Sequence, residues 1–232
     1  AACREHGVNG HLDHANIEKM LAMYDSEELE ARAKGKFMHL ANSIFGSSFK
    51  PDVHLIDNNW YPEGEIQWGI SVDPAGSKPF AIVYWFVTPT GQIVIDDEWP
   101  HDDFTKIKDS KLTIKDYVFM WREWEQGKVV GWRIMDRHFG NARDYRGRCL
   151  MDELNDRPPQ GYGMSWQNSP NMEEEISNGI IKVKSYLAIN PITGLPGMVI
   201  KKRCSNTIRS LSRWCRDPET QQRRGKVCRL AV

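Results

Sequence analysis

At 232 residues and 26.8 kDa the chain is sized for one domain or a small pair. Its 40% hydrophobic and 27% charged residues can build a sizeable core, which excludes global disorder. Net charge is zero, yet residues 201–232 hold ten Lys or Arg against only Asp217 and Glu219, a net of +8 that leaves −8 on the rest; a basic end of this kind fits either a polyanion-facing surface or a solvated tail.

The chain begins on Ala1 rather than Met and reads as a piece of a longer protein, and residues 1–10 have no apolar stretch of the secretory kind. Residues 16–34 have helical character: Ile17, Met20, Leu21 and Tyr24 share one face, Ser26 with Glu27 and Glu28 makes a fresh helix start, and Gly35 is a stop. Residues 36–62, punctuated by Gly46, Pro51, Asn58, Asn59 and Pro62, read as a linker toward the next domain. The domain division expected is therefore 1–62 as a helical coupling segment and 63–232 as the main domain.

From residue 66 the pattern becomes β-rich. IQWGISVD (66–73), FAIVYWFVTP (80–89) and QIVIDDEW (92–99) are joined by short turns, which predicts an antiparallel meander whose second strand, apolar on both faces, lies inside the sheet. A helix is expected over 111–126, buried through Leu112, Tyr117, Met120, Trp121 and Trp124 and ended by Gly127. A strand over 129–136, helices over 141–155 and 169–189, a strand over 197–203 and a helix over 205–215 follow. Meander, then alternating helices and strands, gives an α/β mixed sheet flanked by helices, the element order of the ribonuclease H-like fold. The nine tryptophans fall mostly on these elements and are read first as core. No stretch of about 18 apolar residues occurs, so no membrane span is expected.

Two acids stand out by position. Asp73 and Asp136 each end an apolar strand and open a loop, ISVD-PAG and RIMD-RHFGN. If the strands are neighbours, two carboxylates enter one crevice at the sheet edge, where they repel unless a divalent cation joins them. Mg²⁺ and Mn²⁺ favour hard oxygen donors, and a pair of such ions suits an in-line phosphodiester displacement. The alternative is that each aspartate is a turn former or helix cap. His138, two residues past Asp136, is a candidate auxiliary group. Asp96, Asp97 and Glu98 close the third strand, as an outer ligand or a solvated strand end, and His101 has no second His at ligand spacing.

Other chemistries find no support. The sequence has no GxxxxGK[ST], GxSxG or HExxH, and Gly161-Tyr162-Gly163 follows no clear strand. The five cysteines, scattered and without a CxxC, indicate neither a zinc knuckle nor a disulfide framework and fit reduced thiols in a cytosolic compartment. Arg209, Arg213 and Arg216 recur at a spacing of three to four on the last helix; with Lys201 and Lys202 they are candidate DNA contacts, or a solvated face.

With these segments in hand, the chain resembles the C-terminal nuclease domain of the large terminase subunit of tailed bacteriophages. The resemblance is carried in order by residues 17–49 with Arg32, Gly35 and Phe37 followed by VHLID, by residues 70–99, by WRIMDRHFGN (132–141), and by NGIIKVKSYLAIN with KKRCSNTIRSL (178–211). It implies a ribonuclease H-like fold and a Mg²⁺- or Mn²⁺-dependent endonuclease that cuts concatemeric DNA during packaging in the host cell cytoplasm. Its implied partners are double-stranded DNA, an ATPase motor domain absent from this chain, the small terminase subunit and the portal. Asp73 matches the family's first metal-binding acid and Asp136 its second. The third lies in an Asp-x-x-Asp-Ala-x-Arg-Tyr-like segment that does not occur here; either Asp217 substitutes for it or the residue is lost by truncation of this piece. Two rival readings are a non-catalytic DNA- or portal-docking module and another ribonuclease H-like nuclease such as a resolvase or transposase.

Overall fold

A computed structural model of the chain describes residues 43–107, 111–169 and 176–214. The helix expected over 16–34, Arg216, Asp217 and the C-terminal tail lie outside the described residues.

The described chain runs α1 (Pro51–His54), β1 (Leu55–Ile56), β2 (Gln67–Asp73), β3 (Ala81–Val87), β4 (Ile93–Trp99), a 3₁₀ turn (Phe104–Lys106), α2 (Ile114–Glu125), β5 (Val130–Met135), α3 (Arg137–Gly140), α4 (Leu150–Asn155), β6 (Gln167–Asn168), α5 (Ile176–Leu187), β7 (Met198–Lys201) and α6 (Ser205–Arg213). Seven described strands form one sheet in the order β1-β7-β4-β3-β2-β5-β6. β2, β3 and β4 make the expected antiparallel meander, and β3 is interior to it. The pairs β1·β7, β4·β7, β2·β5 and β5·β6 are parallel. Only β3 therefore runs against the rest, and the other six strands deliver their C-terminal ends to one edge.

Strand alternation sorts the core between two faces. On one face Ile70, Val72, Ile82, Tyr84 and Met135 pack beneath Tyr117, Val118 and Trp121 of α2 and Met151 and Leu154 of α4. Trp121, fully buried, lies against Trp166, and the Phe80 and Tyr117 rings stack at 4.2 Å. On the other face Ile95 and Ile200 meet Ile44, Phe45, Phe49, Ile180 and Leu187. Burial, followed by the charges of Asp97 and Glu125, holds the Tyr84 phenol above its ordinary pKa and keeps it neutral in the core.

Three departures from the sequence-based expectations have simple causes. Residues 43–62 are expected in the linker, but β1 pairs with β7, and Ile44, Phe45 and Phe49 enter the core. His54 locks this segment down, its buried Nε2 donating to the Leu187 carbonyl at 2.8 Å while Nδ1 accepts from Lys50 N. A two-residue strand has too few side chains to show a period, so β1, like β6, is illegible in the sequence. The helix expected over 141–155 forms only at α4, because the Asp144 carboxylate accepts from the amides of Arg146 and Arg148 and holds 144–148 as a turn, with Gly147 at φ 77°.

Gly69 sits beneath the indole of Trp85, which stacks on Trp132 at 5.4 Å and donates Nε1–H to Ser71 Oγ at 3.0 Å. A Cβ at position 69 would enter the Trp85 ring. Gly69→Ala is expected to lower stability by about 1–3 kcal/mol, read as a fall in thermal midpoint accompanied by altered tryptophan fluorescence. At the start of α2 the amide and hydroxyl of Thr113 both donate to Asp116 Oδ2 at 2.7 Å, which holds that carboxyl below its ordinary pKa. Its contribution to stability is present above the unfolded value, near pH 4, and is lost as pH falls through the folded value. Asp116→Asn should therefore melt below wild type at pH 7, and the gap should close in acid.

Candidate active site at the sheet edge

β2 and β5 are adjacent and parallel, in a register that pairs Val72 with Met135. The next residue of each is an aspartate. Asp136 N donates to the Val72 carbonyl at 2.9 Å, carrying the ladder one step beyond β5 and setting Asp136 beside Asp73. Adjacent strands lie about 4.8 Å apart, and residues in register share a face. Asp73 is exposed and Asp136 half-buried, at the edge where parallel strands end. The sheet thus brings together the two acids that the sequence singled out.

Asp136 also fulfils its rival reading. Its Oδ1 accepts from Phe139 N at 3.0 Å and caps α3. The bond to one oxygen fixes the orientation of the carboxylate at the sheet edge. The segment after it is tied to β6: Ser169 N donates to the Met135 carbonyl, Arg137 N to Ser169 Oγ, and the Asn141 amide to Asn168 Oδ1. His138 is exposed on α3, two residues from Asp136.

Among the described residues no group of three His, Cys, Asp or Glu side chains is arranged to hold a metal ion. The donor set at the edge is two aspartates. Mg²⁺, which keeps several waters and takes one or two carboxylates, fits that set; a closed all-protein cage is not what it requires. Asp217, the expected third acid, is outside the described residues.

The acids of β4 take other parts. Asp96 is buried, with Lys201 Nζ at 2.6 Å and Arg203 Nη2 at 2.9 Å. Glu98 is buried too; its carboxylate accepts from the Asn206 and Thr207 amides at 2.6 and 2.8 Å and from Thr207 Oγ1 at 2.8 Å, an anion seated at the N-terminus of α6. Neither is a solvated strand end or an outer ligand. Asp97 faces His101 Nε2 at 3.1 Å, so His101 has a carboxylate partner of its own. Burial, reinforced by Glu98 and Asp97, raises the Cys204 thiol above its ordinary pKa, so it remains an unreactive thiol beneath α6.

The basic residues expected to contact DNA separate. Lys201 is a correction: it is fully buried, paired with Asp96, and its ammonium lies 3.4 Å from the Tyr61 ring centroid, so it neutralises a core carboxylate and cannot reach a phosphate. Lys202 is exposed and pairs with Asp57 at 2.6 Å. Arg209 is half-buried against Asp103. Arg213 is exposed at the end of α6. Arg216 lies outside the described residues.

A cleft of about 660 Å³ is walled by residues of the loop that follows Asp73 (Ala75, Gly76, Lys78) and of the segment that follows Asp136 (Phe139, Arg146, Arg148); the two aspartates themselves do not line it. This wall is hidden in the sequence, where 141–149 has helical character. The available signal is the presence of Arg137, Arg143, Arg146 and Arg148 within twelve residues of Asp136.

No protein-family model matches the chain, and no curated protein does. Solved structures do. A large terminase from a thermophilic bacteriophage is similar over 97% of this chain and 49% of its own, with a TM-score of 0.56 and 16% identity. The complex of that terminase with ADP aligns over 93% of this chain and 47% of its own, at TM-score 0.57 and 16% identity. The P22 large terminase nuclease domain is similar over 81% of this chain and 84% of its own, at TM-score 0.55 and 13% identity. The chain spans about half the length of the thermophilic phage's large terminase. A mixed seven-stranded sheet with flanking helices, arranged like the terminase nuclease domain, is the fold of this protein.

Proposed function

We propose that the chain is the endonuclease domain of a DNA-packaging machine, a metal-dependent enzyme that cuts concatemeric viral DNA in the cytoplasm of the infected host. The observation that carries this reading is the register of β2 and β5, which sets Asp73 beside Asp136 at an accessible sheet edge. The likeness of the fold to the P22 large terminase nuclease domain supports it. No helix among the described residues is long and apolar enough to cross a membrane.

Asp73 and Asp136 would hold Mg²⁺ or Mn²⁺, two ions during catalysis, with Asp217 the candidate third donor. When bound, these ions supply a water-derived nucleophile and charge neutralisation at the phosphate. The chain's own contribution is positional: the shared ladder fixes the spacing of the carboxylates, and the α3 cap fixes the rotation of one of them. His138 stands near enough in sequence to act as an auxiliary group. Lys202, Arg209, Arg213 and Arg216 contribute positive charge toward double-stranded DNA from the C-terminal side. The motor domain, small terminase subunit and portal are the proposed protein partners.

Supercoiled plasmid incubated with the chain and Mn²⁺ should be nicked, and Asp73→Ala and Asp136→Ala should each lose at least a hundredfold in rate, about 2.7 kcal/mol of barrier. Mn²⁺ should also raise the thermal midpoint of wild type and not that of Asp73→Ala. Undiminished nicking by Asp73→Ala would remove the site assignment. A wild-type chain that binds DNA but neither cuts it nor responds to Mn²⁺ would be a docking module instead.

A further inference from the structure

The cleft between the two segments that follow the aspartates has two kinds of wall. Its floor is apolar and aromatic, with Phe80, Ile114 and Tyr117. Its rim carries Lys78 on one side and Arg146 and Arg148 on the other. The four arginines from 137 to 148 play two kinds of part. Arg148 binds Asp156 Oδ2 at 2.9 Å and the Gln160 carbonyl, and Arg143 donates to the Gly147 carbonyl, so these two build the loop. Arg137 and Arg146 are exposed, and among the described residues neither forms an ion pair with a carboxylate. The Arg146 guanidinium lies 5.0 Å over the ring of Tyr145, itself 88% exposed, which presents a flat cation-aromatic surface to solvent. Asp144, the acid of this stretch, is spent on the turn amides, so the loop is held in shape and its outward charge is positive.

Exposed guanidiniums that no described carboxylate neutralises have phosphate as their natural complement, since each planar donor set matches two phosphate oxygens. An exposed aromatic beside them suits sugar and base edges. The segment that carries them starts at the residue following Asp136, so a duplex lying along it would pass the paired carboxylates. We propose that the 137–148 segment, α3 and the loop whose Arg146 faces Lys78 across the cleft, is the surface on which double-stranded DNA is laid at the cutting site, with Arg137 and Arg146 contacting phosphates. This rests on the nuclease reading and moves the principal DNA contact from the C-terminal helix to the segment behind the second aspartate.

Anisotropy of a labelled duplex, with Ca²⁺ in place of Mn²⁺ to prevent cutting, tests it across a KCl series. The Arg137→Ala/Arg146→Ala double variant should bind about tenfold more weakly near 100 mM KCl, and its log–log salt slope should be shallower by roughly 1.8, the release expected for two phosphates. Arg137→Lys/Arg146→Lys should recover most of the slope, which a purely structural role would not predict. Lys182→Ala on α5, an exposed single-charge loss on a different element, is the control. Wild-type affinity and slope in the double alanine variant overturn the proposal, as does an equal loss in the control or absence of DNA binding by wild type. Cutting by wild type is read separately: loop-dependent binding without any cutting sinks the nuclease reading and leaves the surface standing, whereas Asp73-dependent cutting with loop-independent binding does the reverse.

Discussion

The parallel pairing of β2 with β5 is the constraint on which the candidate site depends. One backbone hydrogen bond, from Asp136 N to the Val72 carbonyl, extends that pairing to the last residue before the two chains part. Because strand side chains alternate, a slip of one residue would send one carboxylate into the apolar layer formed by Val72 and Met135. Burial of those two residues under α2 and α4 therefore protects the register, and the register delivers the aspartates to the edge. Core packing and site geometry are the same fact seen from two sides of the sheet.

Around this edge, charges that resemble one another in sequence have separate duties. Asp73 and Asp136 end strands at the open edge. Asp96 and Glu98, one strand beyond β3, end up buried, and each has found positive partners: Lys201 and Arg203 for one, the amide dipoles at the start of α6 for the other. Removing either partner from such a pair would strand a charge in the core. These ties fasten β7 and α6 to the meander, and they explain why part of the C-terminal basic charge is internal. The basic segment left facing solvent after the second aspartate is 137–148, α3 with the arginine-rich loop that follows it.

The likeness to large terminase structures extends across nearly the whole chain at an identity too low to carry residue roles. What such a likeness supports is the arrangement of elements. The case for chemistry rests on the two carboxylates and their accessibility.

Much of this was legible in the chain alone. Apolar runs closed by turn residues marked β2, β3 and β4, a helical apolar period stopped by Gly127 marked α2, and the recurrence of an acid after an apolar strand marked Asp73 and Asp136, because period and turn signals are local. The two-residue strands β1 and β6, the docking of residues 43–56 against the sheet and the burial of Lys201 depended on contacts between residues far apart in sequence. A lysine has the same letter whether it meets water or a buried carboxylate, and an aspartate the same letter whether it caps a turn or faces a second aspartate. Only the stacking of β2 against β5 and of β4 against β7, a long-range choice made by the whole core, decided which of those each would be.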